Sequence, residues 1–280
     1  MCSYRVGGPA AILAAPADGA DLASLLALCR RLALPTLVMG GGSNLLVSDD
    51  GFDGVVIRLG APAFQAIEIA EDGLQVRLGG GVRVSRLMGR AGRFGWPKLA
   101  FLEGIPGTVG GCVAMNAGTK DGEIKDILVE AEVVTPGAMT PQRLSNAECG
   151  FAYRRSCLPA GAVVTEAVVD PGQGDPAEVK RALKAHHEYR KATQPPGTSG
   201  GSVFANPEGD HAGRLIEAAG LKGERVGGAA ISERHANWIV TSPGATAADV
   251  WALMQRARTE VHEQFGVQLR LENRVVGFES

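Results

Sequence analysis

The chain has 280 residues, of which 45% are hydrophobic and 21% charged, and its mean hydropathy is +0.04. This composition is typical of a folded globular protein and excludes a disordered or fibrous chain. The 28 basic and 30 acidic side chains give a formal net charge of -2, so no basic field favours nucleic acid as a partner.

No apolar run reaches the roughly 18 residues that a membrane span requires. The apolar stretch at 9–17 follows two glycines and a single basic residue, Arg5, so we interpret it as a first β-strand and not as a secretion signal. The five cysteines are odd in number and include no C-x-x-C pair, which is typical of a reducing compartment. We therefore expect a cytoplasmic protein without a membrane or nucleic acid partner. A monomer is the expected oligomeric state.

Residues 1–59 have the pattern of a strand, a helix, a strand, a turn and a strand. The helix is indicated by Asp18, a capping residue, and by the apolar periodicity of Leu22–Leu32, which stops before Pro35. A short apolar run at 36–39 then predicts a strand that ends at three consecutive glycines.

Residues 60–170 lack a long amphipathic helix and carry β-like runs, at 64–70, 74–79, 127–134 and 163–169. After them, Asp175–Glu178 combines a capping Asp, a Pro at the first helical position and a Glu at the third. This pattern opens a helix that ends before Pro195. We interpret the helix as a bridge between two domains.

The C-terminal residues have the pattern of an α+β domain. They predict a helix at 211–219, strands at 226–231 and 236–241, a helix from Thr246 to Phe265, and an extended segment at 267–276. Thr246 and Asp249 form a capping box and Gly266 is a stop signal, so both ends of the long helix are marked.

Two glycine-rich loops stand out. The first is Gly40–Asn44, and the second is Gly104–Gly111, which leads to Met115–Gly118. Loops of this kind expose backbone N–H groups that can form an anion nest for a diphosphate. Each could instead be only a tight turn. Two such loops in one domain favour a phosphate-bearing cofactor.

Several common sites are missing from the sequence. G-x-G-x-x-G does not occur, so the Rossmann dinucleotide fingerprint is absent, and without G-K-[ST] there is no P-loop. The adjacent His186 and His187 point in different directions on a helix, which argues against a metal site. Gly197–Gly201 matches G-x-S-x-G, but a Pro-Pro turn precedes it where a nucleophile elbow needs a strand.

Three further segments place polar side chains among apolar neighbours, at 151–156, 201–207 and 269–274. Taken singly, Arg154 could form a surface ion pair, Ser202 could cap a turn, and Glu272 could lie on the solvated face of an edge strand. Composition and periodicity alone thus predict a two-part protein that binds a phosphate-bearing ligand.

In their order along the chain, these motifs resemble those of the UDP-N-acetylenolpyruvoylglucosamine reductase (MurB) family of flavoenzymes. The matching segments are Tyr4–Ala10, Gly40–Leu46, Gly104–Gly118, Tyr153–Ser156, Gly201–Pro207, Leu221–Gly223, Phe265–Val267, Glu272 and Gly277. The short distance from Asn206 to Leu221 leaves no room for an extra tyrosine-bearing loop, so the chain resembles the shorter subclass. It departs from the usual family pattern at Cys112, Thr119, Ala205, Trp238 and Asn273.

The resemblance implies an α+β fold, in which a two-lobed FAD-binding domain of the vanillyl-alcohol-oxidase (PCMH) type is followed by a smaller α+β substrate-binding domain. The expected bounds are 1–59 for the first lobe, 60–172 for the second lobe, 173–194 for the bridging helix and 195–280 for the substrate-binding domain.

The resemblance also implies an activity: reduction of the enolpyruvyl ether of UDP-N-acetylglucosamine to UDP-N-acetylmuramate. FAD is the expected cofactor and NADPH the co-substrate, in a ping-pong order. The step belongs to peptidoglycan precursor synthesis, and so to cell wall biogenesis, cell shape and cell division. Two alternatives stay open, another FAD-domain oxidoreductase and a nucleotide-sugar-binding protein without catalysis.

Site residues follow from the resemblance position by position, and no metal is expected. The expected catalytic residues are Arg154 for the substrate carboxylate, Ser202 as the proton donor and Glu272 as its assistant. FAD is expected at Gly40, Gly41, Gly42, Ser43, Asn44, Leu45, Gly104, Ile105, Pro106, Gly107, Thr108, Gly110, Gly111, Asn116, Ala117 and Gly118. The UDP-sugar is expected at Tyr153, Asn206, Arg214, Lys222, Arg234 and His235.

Overall fold

The structure is a computed structural model, in which residues 2–278 are described. The helices are α1 (Gly19–Arg31), α2 (Val84–Phe94), α3 (Val109–Ala114), α4 (Pro176–Thr193), α5 (Ala212–Ala218) and α6 (Ala247–Phe265). The strands are β1 (Ala10–Ala14), β2 (Thr36–Val38), β3 (Leu45–Val47), β4 (Phe52–Ile57), β5 (Ile67–Ile69), β6 (Val76–Gly79), β7 (Gly118–Thr119), β8 (Gly122–Glu123), β9 (Leu128–Val134), β10 (Gln142–Ser145), β11 (Val163–Val169), β12 (Thr198–Ser202), β13 (Arg225–Val226), β14 (Ala229–Ile231), β15 (Trp238–Thr241) and β16 (Arg274–Val276). The fold is α+β.

The chain forms two compact units. The larger unit consists of Ile12–Gly41 and Gly54–Tyr189, and the smaller unit consists of Gly42–Asp53 with the described residues before Ile12 and after Tyr189. Residues 42–53, which the sequence assigned to the first lobe, are therefore grouped with C-terminal residues. The physical reason is that β3 pairs in parallel with β16, and a pairing between such distant segments leaves no local signal in the sequence.

The larger unit is built on an antiparallel sheet with the strand order β10-β9-β11-β6-β5. Strand β11 is buried along nearly its whole length, and α3 packs against it. The main core combines apolar side chains from β6, α2, α3 and β11, among them Leu78, Leu87, Val113 and Ala167. This core carries α3, which begins within the second glycine loop.

Helix α1 begins as the sequence predicted. The carboxylate of Asp18 accepts hydrogen bonds from the backbone N–H groups of Ala20 and Asp21, each at 2.9 Å, and so satisfies two donors that a helix start leaves unpaired. Its buried side chains, such as Leu22 and Leu26, form a second core cluster that includes Val134 of β9.

The expectation that 60–170 contains no long amphipathic helix is wrong, because α2 spans eleven residues there. Its buried face consists of Val84, Leu87, Met88 and Ala91. Two features obscured the pattern: Arg83 provides no capping side-chain hydrogen bond at the helix start, and the helix contains glycines, which disfavour helix formation.

The smaller unit contains the antiparallel sheet β12-β15-β14-β13 and the parallel pair β16-β3. Helix α6 packs against β13, β14 and β15, and α5 packs against α6. The capping box of Thr246 and Asp249 is present at the start of α6, and Gly266 ends the helix in the left-handed region with a φ of 70°. Both ends of this helix lie where the sequence predicted.

Two further predictions for the C-terminal residues need correction. The single strand expected at 226–231 is the hairpin β13–β14, because Gly227 takes a φ of +52° and a Cβ on Gly228 would lie 2.5 Å from the Cα of Ala245. The extended segment expected at 267–276 forms a strand only at β16. Within residues 2–278, no helix combines the length and apolar character needed to cross a membrane.

Asp49 provides an additional cap for α6. Its carboxylate oxygens accept hydrogen bonds from the N–H of Ala247 at 2.8 Å and the N–H of Ala248 at 2.9 Å. We predict that Asp49→Ala lowers the free energy of unfolding by about 1 kcal/mol, since a cap and a favourable helix-dipole contact are lost. Urea unfolding measures this loss, and the adjacent exposed Asp50→Ala is the control; equal stability of the two variants would contradict the capping role.

Candidate active site

The two predicted glycine loops meet in the larger unit. A Cβ built on Gly41 would lie 2.9 Å from the Cα of Gly107, and a Cβ on Gly40 would clash with the Thr108 hydroxyl. Gly107 itself takes a φ of 122°, which favours glycine. The loops can therefore approach this closely only because glycine occupies these positions.

Where the two glycine loops meet, some backbone N–H groups make no hydrogen bond to another described residue. Within residues 2–278, the N–H groups of Gly40, Gly41 and Gly107 donate to no acceptor. Gly41 is exposed and the other two are half-buried. Uncovered N–H groups of glycines on adjoining loops are suited to an anionic group such as a diphosphate. The cradle thus fits the phosphate-bearing cofactor that the sequence predicts.

Other glycines of the second loop have packing roles. The N–H of Gly110 donates to the Gly80 carbonyl at 2.8 Å, and a Cβ on Gly110 would lie 3.0 Å from that oxygen and from the Val164 carbonyl oxygen. A Cβ on Gly118 would lie 2.5 Å from the Gly122 carbonyl oxygen. These two positions let α3 lie against the sheet and let β7 pair with β8. Ile105 and Ala117 pack against the main core.

Asn116 connects the second loop to the segment that carries Arg154. Its side chain is fully buried; the amide nitrogen donates to the Ala152 carbonyl and to Glu123, both at 3.1 Å, and the amide oxygen accepts from the Lys125 N–H at 3.0 Å. Its own φ of +44° lies in the left-handed region, which Asn tolerates better than most residues. Asn116 therefore anchors the chain just before Tyr153.

Arg154 lies at the tip of a two-residue turn. Ala152 and Arg155 exchange two backbone hydrogen bonds of 3.0 and 3.1 Å, so Tyr153 and Arg154 form the turn. Arg154 has a φ of 58°, a conformation that costs a non-glycine residue roughly 1–2 kcal/mol. Its guanidinium carbon lies 5.1 Å from the centre of the exposed Tyr153 ring. The surroundings hold this strained turn, and strain of this kind is concentrated at functional sites.

Ser202 and Glu272 lie on neighbouring segments of the smaller unit. The residue after Ser202, Val203, accepts hydrogen bonds at its carbonyl oxygen from the N–H of Glu272 at 2.8 Å and of Asn273 at 3.2 Å. Phe204 and Leu271 form an antiparallel bridge. Two residues 70 positions apart in the sequence are thus carried by paired segments, as expected for partners in one site.

The end of the first glycine loop lies beside the same segments. Asn44 donates from its side chain to the Glu272 carbonyl at 2.9 Å, and its own carbonyl accepts from the Arg274 N–H at 2.9 Å. Gly42, Ser43 and Leu45 belong to the same unit, and Leu45 is buried in β3. The loop predicted to bind the cofactor therefore continues directly into contacts with Glu272.

Tyr153 belongs to the larger unit, whereas the other residues predicted to bind the UDP-sugar have partners within the smaller unit. Lys222 contacts Glu217 at 2.7 Å. The Arg214 Nε donates to Asp210 at 2.7 Å, and this ion pair lowers the pKa of the Asp210 carboxyl to about 2. Arg234 donates to the backbone carbonyls of Lys191 and Gln194 at 3.0 and 3.1 Å, and Asn206 accepts from the Ala212 N–H at 3.1 Å.

His235 is held neutral by its surroundings. Burial lowers the pKa of its imidazole below the ordinary value, and the nearby Lys222 ammonium lowers it further. Nδ1 accepts from the Asn237 N–H at 3.3 Å, which is consistent with the neutral ring. The ring of His235 therefore carries a dipole and not a positive charge.

Residues that sequence reasoning did not select also line a cleft on the smaller unit. Arg225 and Glu233 border it beside Arg234, with Pro195 and Pro196 at one side. No motif marks these positions, so only the fold brings them together. Within residues 2–278, no group of three or more His, Cys, Asp or Glu side chains is arranged to hold a metal ion.

Two family models match separate parts of the chain. Residues 192–276 match the family model described as UDP-N-acetylenolpyruvoylglucosamine reductase, C-terminal domain, and residues 10–140 match the model described as FAD binding domain. A UDP-N-acetylenolpyruvoylglucosamine reductase from Anaeromyxobacter sp. (strain Fw109-5) is 50% identical over 98% of this chain and 85% of the relative. The chain belongs to this reductase family.

Other members of the family are similar to this chain in sequence and in structure. A reductase from Symbiobacterium thermophilum is 46% identical over 98% of this chain and 89% of its own length. The crystal structure of UDP-N-acetylenolpyruvylglucosamine reductase (MurB) from Thermus caldophilus superposes with a TM-score of 0.85 at 38% identity, over 98% of this chain and 95% of that one. The fold predicted from the family resemblance is therefore confirmed.

The glycine cradle leads to a direct test. We predict that Gly41→Val lowers FAD affinity by at least about tenfold, because the new side chain would meet the Gly107 backbone and block the N–H donors. Fluorescence titration of the refolded apoprotein with FAD measures the effect. Gly89→Ala is the matched control, since a Cβ there meets nothing within 4 Å; equal affinity of both variants would remove the loop from the cofactor site.

Proposed function

We propose that this chain catalyses the NADPH-dependent reduction of the enolpyruvyl ether of UDP-N-acetylglucosamine to UDP-N-acetylmuramate, with FAD as its cofactor. The observation that carries the proposal is the combination of a near full-length match to reductases of this name with the glycine cradle of Gly40, Gly41 and Gly107. Bound FAD supplies a hydride acceptor and donor between NADPH and the vinyl carbon.

The cradle residues would hold the diphosphate of the cofactor. Their N–H groups provide donors without side chains that could interfere. Asn44, which follows in the same loop, contacts the Glu272 carbonyl. The first glycine loop thus continues from the cradle into the smaller unit, where its residue Asn44 contacts the segment of Glu272.

Arg154 would bind the carboxylate of the substrate. Hydride addition to the vinyl carbon leaves negative charge on the adjacent carbon and its carboxylate, and a planar guanidinium can meet that charge with two parallel hydrogen bonds. The strained turn supports this role, because it is held by Asn116 on one side and by the 2.8 Å hydrogen bond from Ser156 to the Ala114 carbonyl on the other. A guanidinium on a fixed turn loses little orientation freedom on binding.

Ser202 would donate the proton that completes the reduction. An ordinary hydroxyl is a weak acid, so the donor must be held close to the carbanion in a site of low water content. Its half-buried position at the end of β12 and the pairing of the next residue with Glu272 support this role. Glu272 would assist Ser202 from the adjacent segment.

We propose that six residues contribute to UDP-sugar binding to different degrees. They are Lys222, Arg214, Arg234, His235, Asn206 and Tyr153. Lys222 and Arg214 reach solvent from ion pairs with Glu217 and Asp210, and an incoming diphosphate would compete with those carboxylates. Arg234 and Asn206, which hydrogen-bond to backbone groups, would shape the site and contribute less charge.

The biological setting follows from the reaction. We propose that the enzyme acts as a cytoplasmic monomer in peptidoglycan precursor synthesis, and through it in cell wall biogenesis, cell shape and cell division. Another FAD-domain oxidoreductase is disfavoured, because the match at residues 192–276 is specific to this reductase family. A binding protein without catalysis is disfavoured by the presence of Arg154, Ser202 and Glu272 together.

Arg154→Lys is predicted not to be conservative. A lysine ammonium is a point charge and cannot reproduce the two parallel hydrogen bonds of a guanidinium. We expect kcat/KM for the enolpyruvyl sugar to fall by about 100-fold, while flavin content stays normal. Steady-state kinetics with NADPH in excess measure the change, and turnover close to wild type would contradict contact between Arg154 and the substrate carboxylate.

Ser202→Ala separates the two half-reactions. Reduction of the flavin by NADPH requires no proton from Ser202 and is expected to be nearly unchanged, whereas reoxidation by the enolpyruvyl sugar is expected to slow by at least about 100-fold. Stopped-flow absorbance measures each step.

Ser199→Ala, three residues away on β12, is the matched control for that variant. It keeps a similar change in the same strand and is expected to affect neither step by more than a few fold. An equal loss in both half-reactions of Ser202→Ala would point to displaced flavin, and a loss confined to Ser199→Ala would support hydrolase chemistry.

A further inference from the structure

Asn273 is a buried polar residue next to Glu272 that the proposed chemistry does not use. Its side chain is only 4% exposed. The amide nitrogen lies 2.7 Å from the Asn44 Oδ1, 3.0 Å from the Gly200 carbonyl oxygen and 3.2 Å from the Ser202 carbonyl oxygen, and the amide oxygen accepts from the Tyr4 hydroxyl at 2.8 Å. One side chain thus forms hydrogen bonds with four residues of the smaller unit.

Strand β12 needs such a contact because its pairing is interrupted. The register between β12 and β15 shifts between Ser199 and Ser202, and Gly201 between them takes a φ of +77°. A bulge of this kind leaves carbonyl groups outside the regular ladder and re-aims the next side chain. The Asn273 amide binds the carbonyls of Gly200 and Ser202 on both sides of the irregular residue.

The same side chain also fixes the other partners of the site. Asn44, whose amide oxygen accepts from Asn273, donates in turn to the Glu272 carbonyl at 2.9 Å. The backbone of Glu272 and Asn273 is tied to Val203. Asn44 and Ser202–Val203 are thus each bonded to the Glu272–Asn273 segment.

Tyr4 holds the amide of Asn273 in one orientation. The Tyr4 side chain is fully buried, and burial raises the pKa of its hydroxyl far above the ordinary value, so the group stays a neutral donor. A donor at this position requires the oxygen of the Asn273 amide to face Tyr4 and the nitrogen to face β12. Because each buried polar group of this network has a partner, the arrangement specifies a single geometry.

We propose that Asn273, oriented by Tyr4, is a positioning residue that sets Ser202 relative to Glu272 and couples both to Asn44 of the first glycine loop. The inference rests on the proposed role of Ser202 as proton donor. It assigns Asn273 no contact with the substrate. Its effect on the reaction is transmitted through the Ser202 backbone.

The test compares Asn273→Leu with Thr246→Ala in the full-length, FAD-loaded protein. Leucine is close to Asn in shape and removes every hydrogen bond of the amide, whereas Thr246→Ala removes a cap of α6 in the same unit away from this network. For Asn273→Leu we expect reoxidation by the enolpyruvyl sugar to slow by about tenfold or more, with reduction by NADPH nearly unchanged. Thr246→Ala is expected to lose stability alone.

Two further measurements separate positioning from simple destabilisation. Asn273→Leu combined with Ser202→Ala should reoxidise no more slowly than Ser202→Ala alone, because the effect passes through Ser202. In the apoprotein, exchange of the backbone amides at positions 272 and 273 should accelerate by about tenfold in Asn273→Leu and not in Thr246→Ala. Tyr4→Phe removes one hydroxyl only. It should slow reoxidation and accelerate amide exchange as Asn273→Leu does, but by smaller factors.

The outcomes are distinct. Equal slowing of both half-reactions, full additivity with Ser202→Ala, or unchanged amide exchange would overturn the positioning role. If Ser202→Ala itself left reoxidation unchanged, the proposed proton donor would fail and the transmission through Ser202 would fail with it. A different result would overturn the positioning role of Asn273 and leave the proton-donor role of Ser202 intact. In that result, Ser202→Ala reoxidises slowly, whereas Asn273→Leu and Tyr4→Phe both reoxidise at the wild-type rate.

Discussion

The parallel pairing of β3 with β16 is the constraint on which the arrangement of the smaller unit depends. It joins Leu45–Val47 to Arg274–Val276 in register, and so it places the end of the first glycine loop beside the segment that carries Glu272. The contacts of Asn44 with Glu272 and Arg274 follow from that register. A slip by one residue would turn alternate side chains to the opposite face and would separate Asn44 from Asn273. The cost of joining segments so distant in sequence is an entropy term that grows only slowly with loop length.

Backbone groups form or position most parts of the candidate site. The cradle consists of the N–H groups of glycines, and the segments of Ser202 and Glu272 are aligned by hydrogen bonds to the Val203 carbonyl. Arg154 is presented by a turn whose left-handed φ is held from both sides. Preorganised donors of this kind need little rearrangement when charge develops in a transition state. Arg214 and Lys222, which we propose to meet the UDP-sugar, are held by ion pairs with Asp210 and Glu217.

The extent to which the sequence predicted this structure depends on whether the signal is local. Helices α1 and α6 begin at Asp18 and Thr246 as predicted, because a capping side chain acts within three residues of itself. Helix α2 was missed, since glycines and an uncapped start concealed its apolar face. The β3–β16 pairing could not be predicted from periodicity, and neither could the contact between Gly41 and Gly107. The glycine loops themselves were visible as motifs, whereas the strain at Arg154 and the network of Asn273 are properties of the folded backbone alone.

In the proposed function, one bound flavin passes electrons from NADPH to an enolpyruvyl sugar nucleotide. The most direct measurement is the absorbance spectrum of the purified protein under anaerobic conditions, first alone, then after one equivalent of NADPH, and finally after the enolpyruvyl ether of UDP-N-acetylglucosamine. The account predicts an oxidised flavin spectrum that bleaches with NADPH and returns when the sugar nucleotide is added. A flavin that bleaches and stays reduced after that addition would contradict it.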